Sequence, residues 1–231
     1  MDMNERRTWN DNHKKLKQIL VRPEAHNEVI QLFLSHHLLL HASSISQTNY
    51  TTLEDKLLKG LHERLFRQYP VPNPDTNNSI AWHLWHIARI EDMTMNVLVS
   101  DRNQVLFSED WLTKMNVPLT HSGNDMQEEE IADLSRNIDI NSLLAYRAAV
   151  GRRTREIITS LKPGQFIMKI NADRIRRLFE ENAVMEKSKW LADYWSKKNI
   201  AGLILMPATR HNFLHLNKSI RIKERLQKKL D

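Results

Sequence analysis

Apolar side chains recur at helical spacing along most of the chain, and loop-forming residues divide this pattern into segments. The pattern predicts a first helix over residues 24–44 and a second helical stretch over 52–69, which Thr51 or Thr52 would cap. Residues 70–78 contain three prolines and no periodic apolar pattern, so we expect a loop there.

The clearest apolar stripe belongs to a helix predicted over residues 79–100, capped by Ser79 or by one of the two asparagines before it. At 100° per residue, one face of this helix collects Trp82, His86, Ile90, Met93 and Val97, with His83 at its edge. We therefore expect His86 to point into the core from the middle of an apolar face.

The second half of the chain predicts a long connection and then further helices. Residues 101–138 are less regular and form the connection, with room for a short helix, and a long helix follows over 140–161. One or two shorter helices are expected within 171–198, and Pro207 suits the first turn of a last helix that reaches about residue 228. The chain as a whole is predicted to be all-α.

The last helix has apolar residues on two faces, which is typical of a helix buried on both sides. Its second face could pack on the additional helices of this chain or on another subunit.

Composition narrows the class of protein. The 231 residues fit a charged lead-in over residues 1–22 and a single helical domain over 23–231. Without cysteine, the chain has no disulfide, no thiolate metal ligand and no cysteine nucleophile. No signal peptide is visible, and no apolar run reaches the roughly 18 residues of a membrane span. We expect a cytoplasmic protein without a membrane partner.

The net charge of +6 raises the question of nucleic-acid binding. However, the 34 basic residues are interleaved with 28 acidic ones, and basic clusters at 174–177 and 218–229 fit solvated helix faces. The sequence also lacks a Walker loop, a dinucleotide glycine fingerprint and zinc-finger spacing. We expect a small-molecule partner rather than a nucleic acid.

Histidines are the main candidates for chemistry. His211 and His215 are spaced i, i+4, so a helix would bring both imidazoles to one face. His86, from another helix, would complete the three-nitrogen set that catalytic zinc sites use while keeping one coordination position open. One cation would also satisfy ring nitrogens that are costly to bury without partners. The sequence therefore predicts a metal site inside a helical bundle.

Other histidines compete for the same role. His83 lies three residues before His86 and could replace it, while His37 and His41 are also spaced i, i+4, with His36 beside them. The simpler interpretation places these last three near a helix end, partly solvated.

A catalytic base cannot be assigned from the sequence. Glu91 and Asp92 are the carboxylates nearest to His86 along the chain, but their helix angles place both away from its stripe. An outer-shell role, accepting the second ring N–H of a ligand histidine, stays open to them or to a carboxylate from elsewhere.

Two short motifs stand in a characteristic order. Residues 86–91 read H-I-A-R-I-E and fit the pattern H-[IL]-x-x-x-E, and residues 211–215 read H-N-F-L-H and fit H-x-x-x-H. Together with the segments 78–82 and 146–161, this succession resembles the DinB/YfiT-like family of metal-dependent enzymes. The resemblance extends over residues 24–225.

The resemblance implies a DinB-like four-helix bundle with a long connection between the second and third helices, here with additional short helices. It also implies a divalent transition metal, nickel or zinc, bound by His86, His211 and His215, and a homodimer. This chain departs from the family by its lead-in, its insertions at 52–69 and 171–198, and Leu216-Asn217-Lys218 in place of a frequent glycine-glutamine step. These departures affect the substrate pocket.

Such a site would activate water, as in a hydrolase, or a low-molecular-weight thiol, as in an S-transferase. The alternative is a non-enzymatic, metal-stabilised helical module for binding or stress response. An enzyme should have an open coordination position facing a solvent-connected cavity, whereas a structural ion should be closed off by a fourth protein ligand.

Overall fold

A computed structural model describes residues 3–46 and 48–229, and in this part of the chain regular structure is helical, with isolated β-bridges but no strand. The predicted all-α class is confirmed. The α-helices are α1 (Met3–Ile19), α2 (His26–Leu38), α3 (Leu53–Leu58), α4 (Glu63–Arg67), α5 (Ile80–Asp92), α6 (Trp111–Lys114), α7 (Glu128–Asn137), α8 (Ile140–Ser160), α9 (Ala172–Glu180), α10 (Lys189–Ser196), α11 (Ile200–Leu205) and α12 (Asn212–Gln227).

The bundle is built from α2, α5, α8 and α12. Helix α5 packs against both α8 and α12, and α2 packs against α8 and against the segment that precedes α12. Every residue of α5 is buried, so α5 is the central helix rather than an amphipathic surface helix. The predicted bundle, with its long connection from α5 to α8, is thereby confirmed.

Local capping signals fix where two helices begin. The Thr52 hydroxyl accepts from the backbone N–H of Asp55 at 3.2 Å, and the Asp55 carboxylate accepts from the Thr52 N–H at 3.0 Å. The Ser79 hydroxyl accepts from the Trp82 N–H at 3.0 Å and so caps α5. Both predicted caps are confirmed, although the stretch 52–69 forms two short helices, α3 and α4, rather than one.

The prediction that Pro207 begins the last helix is wrong. Helix α11 begins at Ile200, and Pro207 lies inside a π-helical segment, Met206–His211, that joins α11 to α12. Proline has no N–H to donate within a helix, and the wider π turn accommodates this loss. The Thr209 hydroxyl donates to the carbonyl oxygen of Ile204 at 2.9 Å, a side-chain hydrogen bond that links the π segment to the last turn of α11.

Helix α1 occupies the region predicted as a charged lead-in. It packs on α2 and buries Trp9, Leu16 and Ile19, and the Trp9 ring stacks on Phe213 of α12 with the centroids 3.7 Å apart. The second apolar face of the last helix therefore packs on a helix of the same chain. Its apolar pattern no longer indicates a subunit interface, and the homodimer stays a prediction.

Asp92 fixes the long connection between α5 and α8. Its carboxylate accepts from the backbone N–H groups of Val105 and Leu106 at 2.8 and 2.9 Å, from the Tyr146 hydroxyl at 2.6 Å, and from Arg89 at 3.2 Å. Asp92 lies away from the His86 stripe, but it is not exposed to solvent, because α5 is buried on all sides. This carboxylate is a buried structural anchor.

The two basic clusters differ in what their side chains contact. Arg176 pairs with Asp173 at 2.9 Å and with Glu180 at 3.3 Å, as expected for a solvated helix face. In the second cluster, by contrast, Lys223 is buried and donates to the carbonyl oxygen of Leu57 at 2.9 Å. That lysine serves the packing of α12 on α3 rather than a basic surface.

Candidate metal centre

The three predicted ligand histidines lie together. His86 projects from the middle of α5, His211 ends the π segment and His215 follows one turn later on α12. One potential ligand nitrogen from each ring lies within 4.8 Å of the others, close enough to hold one ion. His86 is buried, whereas His211 and His215 are partly exposed, so the group faces outward on one side.

Hydrogen bonds orient two of these rings. The His86 Nδ1 lies 2.6 Å from the carbonyl oxygen of Ser122, and because a carbonyl only accepts, Nδ1 carries the proton. This leaves the lone pair on Nε2, the arrangement usual for a metal-binding histidine. The His83 Nδ1 lies 2.8 Å from the Nδ1 of His215. The geometry therefore puts His83 behind His215, as an orienting neighbour rather than as a replacement for His86.

Burial keeps the imidazoles neutral. Desolvation lowers the pKa of His86 to about 4 and that of His83 to about 3. It also lowers the pKa of His211 and of His215 well below the usual value, and the neighbouring histidines add to this effect. Neutral imidazole is the form that ligates a metal. The Nδ1 of His211 is buried without a hydrogen-bond partner. A set of three neutral imidazole nitrogens fits a borderline cation such as zinc or nickel.

A cavity of about 230 Å³ opens beside the group. His86 and His211 form part of its wall, and Trp190 and Tyr194 from α10 form another part. The sequence pattern placed these aromatic residues in a short helix but did not connect them with the histidines. The one available signal was their i, i+4 spacing on an otherwise polar helix surface.

The prediction that His36, His37 and His41 are partly solvated is wrong, because all three are buried. His37 and His41 donate from Nε2 to the two carboxylate oxygens of Glu91, at 2.8 and 3.1 Å. Trp9 of α1 and Glu91 of α5 contact this end of α2, which the helix pattern alone could not indicate. His36 lies outside the pair and stacks on Trp9 with the centroids 4.2 Å apart.

Glu91 is ionised within this cluster. Burial raises the pKa of Glu91, but the neighbouring imidazoles of His41 and His37, both hydrogen-bonded to the carboxylate, outweigh that effect and hold the pKa well below the usual value. The amide of Asn212 also donates to Glu91, at 2.8 Å. Potential ligand atoms of His37, His41 and Glu91 lie within 4.8 Å of one another, so this second group could also hold an ion. Three donors already satisfy the carboxylate, which therefore needs no cation.

The Glu91 cluster connects three helices next to the histidine triad. Asn212 is the first residue of α12 and directly follows His211, and its amide also donates to the carbonyl oxygen of Pro207 at 3.1 Å. The cluster thus fixes the junction of the π segment and α12 to α2 and α5. No local sequence pattern could have paired Glu91 with residues so distant along the chain.

Comparisons with known proteins identify the family of the chain. The family model of the DinB superfamily matches residues 51–216. A crystal structure described as the conserved protein of locus from Enterococcus faecalis is similar, with 17% sequence identity, a TM-score of 0.48, and coverage of 74% of this chain and 88% of that chain. No curated protein sequence matches the chain. Among the described residues, no helix is both long and apolar enough to span a bilayer. Because the family model covers most of its length, the chain belongs to the DinB superfamily.

Proposed function

We propose that this protein is a metal-dependent enzyme that binds one divalent cation, zinc or nickel, through His86, His211 and His215 and acts on a small molecule. The observation that carries the proposal is the cavity, whose wall includes two of these three histidines. Three protein ligands leave a tetrahedral ion one open position, and the cavity gives a substrate access to it. A metal-stabilised binding module would instead close the ion off with a fourth protein ligand.

A cation in this position would supply Lewis acidity, lowering the pKa of a bound water or thiol or polarising a substrate oxygen. The chain's own residues orient the ligands and exclude water. Ser122 fixes the His86 ring, and His83 contacts His215. Leu191 and Met206 cover the cavity with apolar surface, which strengthens electrostatic interactions inside it.

The choice between the two reaction classes follows from what lines the cavity. Among the described residues that line it, none is a carboxylate, and Asn124 contributes a neutral amide. Hydrolytic sites usually add a positioned base to the metal-bound water, whereas a thiol, whose free pKa is about 8.5, needs only a small further lowering of that pKa to ionise. The site therefore favours activation of a low-molecular-weight thiol, as in an S-transferase, over hydrolysis.

A substrate screen tests this proposal. Protein loaded with zinc or nickel is assayed for conjugation of small thiols to electrophiles and for hydrolysis of esters and amides. A variant with His86, His211 and His215 all changed to alanine serves as the blank. We expect metal-dependent thiol conjugation that the blank lacks. Equal rates for the loaded protein and the blank in every assay would contradict an enzymatic function.

A further inference from the structure

The cavity beside the histidine triad has an almost entirely apolar wall, of which aromatic side chains form a large part. Trp190, Tyr194 and Trp195 come from α10, and Ile90 and Met206 come from α5 and the π segment. Such a wall gains free energy by covering apolar ligand surface, at roughly 25 cal/mol per Å² removed from water.

No charged side chain lines this cavity among the described residues. A phosphate, carboxylate or ammonium group packed against this wall, away from a cation at the triad, would lose its hydration without gaining an ionic partner, which is costly. Beside the histidines, the polar side chains that line it are Asn124, with a neutral amide, and Tyr194, which is 40% exposed. The wall thus selects an uncharged group.

The volume limits the size of that group. About 230 Å³ is below the roughly 300–1,000 Å³ of pockets that hold drug-sized ligands. At about 30 Å³ for each water molecule of the bulk liquid, the space corresponds to roughly eight waters. A single aromatic ring with a short substituent fits, whereas a nucleotide or a peptide helix does not.

Two of the aromatic side chains that line the cavity are also exposed to solvent. Trp190 is 60% exposed and Tyr194 is 40% exposed, one helical turn apart on α10. The Lys198 ammonium already lies over the Tyr194 ring, 4.2 Å from its centroid, so that ring has a cation in place. Trp190 offers an open ring to a flat ligand, and offset or edge-to-face packing would cover it.

From this apolar lining, small volume and exposed tryptophan beside the triad, we propose that the cavity binds a small, uncharged molecule through an aromatic ring. This inference rests on the proposed function, since it assigns a substrate class to the same site. A donor atom on the short substituent would face His86 and His211, while Trp190 packs against the ring.

Two probes with the same thiol but different bodies test the inference. Benzyl mercaptan is uncharged and aromatic, and 2-mercaptoethanesulfonate is small and anionic. Each is titrated into zinc-loaded protein by calorimetry, and we expect benzyl mercaptan to bind at least about tenfold more tightly. Equal or tighter binding of the sulfonate would overturn the inference.

Side-chain variants locate the binding. Trp190→Ala should weaken benzyl mercaptan about tenfold or more without changing the zinc content, because Trp190 is largely exposed and does not contact the triad. Tyr50→Ala is the matched control, an exposed aromatic residue that does not line the cavity, and should leave binding unchanged. Unchanged binding in the Trp190 variant would refute the role of this wall.

Toluene separates this inference from the proposed function, because it has the ring but no donor atom. We expect toluene to bind metal-free protein and to be weakened by Trp190→Ala. If toluene binds but the loaded protein has no activity, the proposed function fails and the substrate class of the cavity stands. If toluene does not bind, the inference fails whatever the activity.

Discussion

Replacing Gly151 with alanine probes the packing behind the Glu91 cluster. Gly151 lies in the interior of α8, where a Cβ atom would lie 2.7 Å from the Nδ1 of His41 and 3.0 Å from both its Cγ and its Cε1. Contacts that short require the imidazole to move. The ring has little room to do so, because Glu91 holds its Nε2 at 3.1 Å and the His37 ring packs against it at a tilt of 31°, with the centroids 4.4 Å apart.

Two effects of opposite sign decide the outcome. Alanine is the better helix former in a helix interior by about 1 kcal/mol. Overpacking a well-filled core costs about 1–3 kcal/mol. Since His41 is held on two sides and buried, we expect overpacking to exceed the helix gain, with a net loss of about 1 kcal/mol in the free energy of unfolding.

Gly202→Ala is the matched control for helix propensity. A Cβ there would lie 3.2 Å from the Cβ and 3.3 Å from the Cδ of the partly exposed Lys198, so its closest contact is longer than the 2.7 Å contact at Gly151. Urea unfolding of both variants gives the comparison: Gly202→Ala should be neutral or stabilising, and Gly151→Ala destabilising. If Gly151→Ala is stabilised as much as the control, the packing account of the cluster is refuted.

Three further changes test the buried polar groups. Glu91→Gln removes the negative charge of the carboxylate that accepts from His37, and it should lower zinc affinity about tenfold, measured by competition with a chelator. The helical circular dichroism spectrum should stay unchanged. Unaltered zinc affinity would show that the cluster does not position the triad. Asp92→Ala leaves the Arg89 charge buried without its carboxylate and should cost about 3–5 kcal/mol of unfolding free energy in urea; a loss below about 1 kcal/mol would contradict the anchor. Burial lowers the pKa of His36 to about 3 and of His37 to about 4, so the unfolded chain binds more protons below about pH 6.5. The contribution of these two histidines to the free energy of unfolding is therefore present above pH 6.5 and is lost as the pH falls toward 4, at up to about 1.4 kcal/mol per pH unit for each group. Urea unfolding of metal-free protein between pH 7 and 5 measures this loss. A free energy of unfolding that does not change over this range would contradict it.

The parts of the fold that sequence could predict are those set by local signals. Thr52 and Ser79 cap their helices through side chains that reach the backbone three residues on, and the stripe around His86 follows from helical period alone. The order of His86, His211 and His215 on two helices could likewise be read from spacing, because i, i+4 neighbours share a face.

The parts that escaped prediction depend on contacts between distant residues. Helix α1 is mostly polar, and only its docking on α2 and α12 gives Trp9 a buried position. The Glu91 cluster joins α2, α5 and α12, and the sequence placed its histidines, His37 and His41, partly solvated near a helix end. The aromatic mouth of the cavity likewise arises from the approach of α10 to α5, which no periodicity along either helix indicates.

The metal content of purified variants tests the central claim most directly. Protein loaded with zinc and desalted is compared by elemental analysis with His86→Ala and with His83→Ala, whose ring contacts His215 but lies behind the triad. We expect about one equivalent in the unaltered protein, none in His86→Ala, and nearly full content in His83→Ala. Equal zinc in the unaltered protein and His86→Ala, or loss of the metal in His83→Ala alone, would contradict a cation held by His86, His211 and His215.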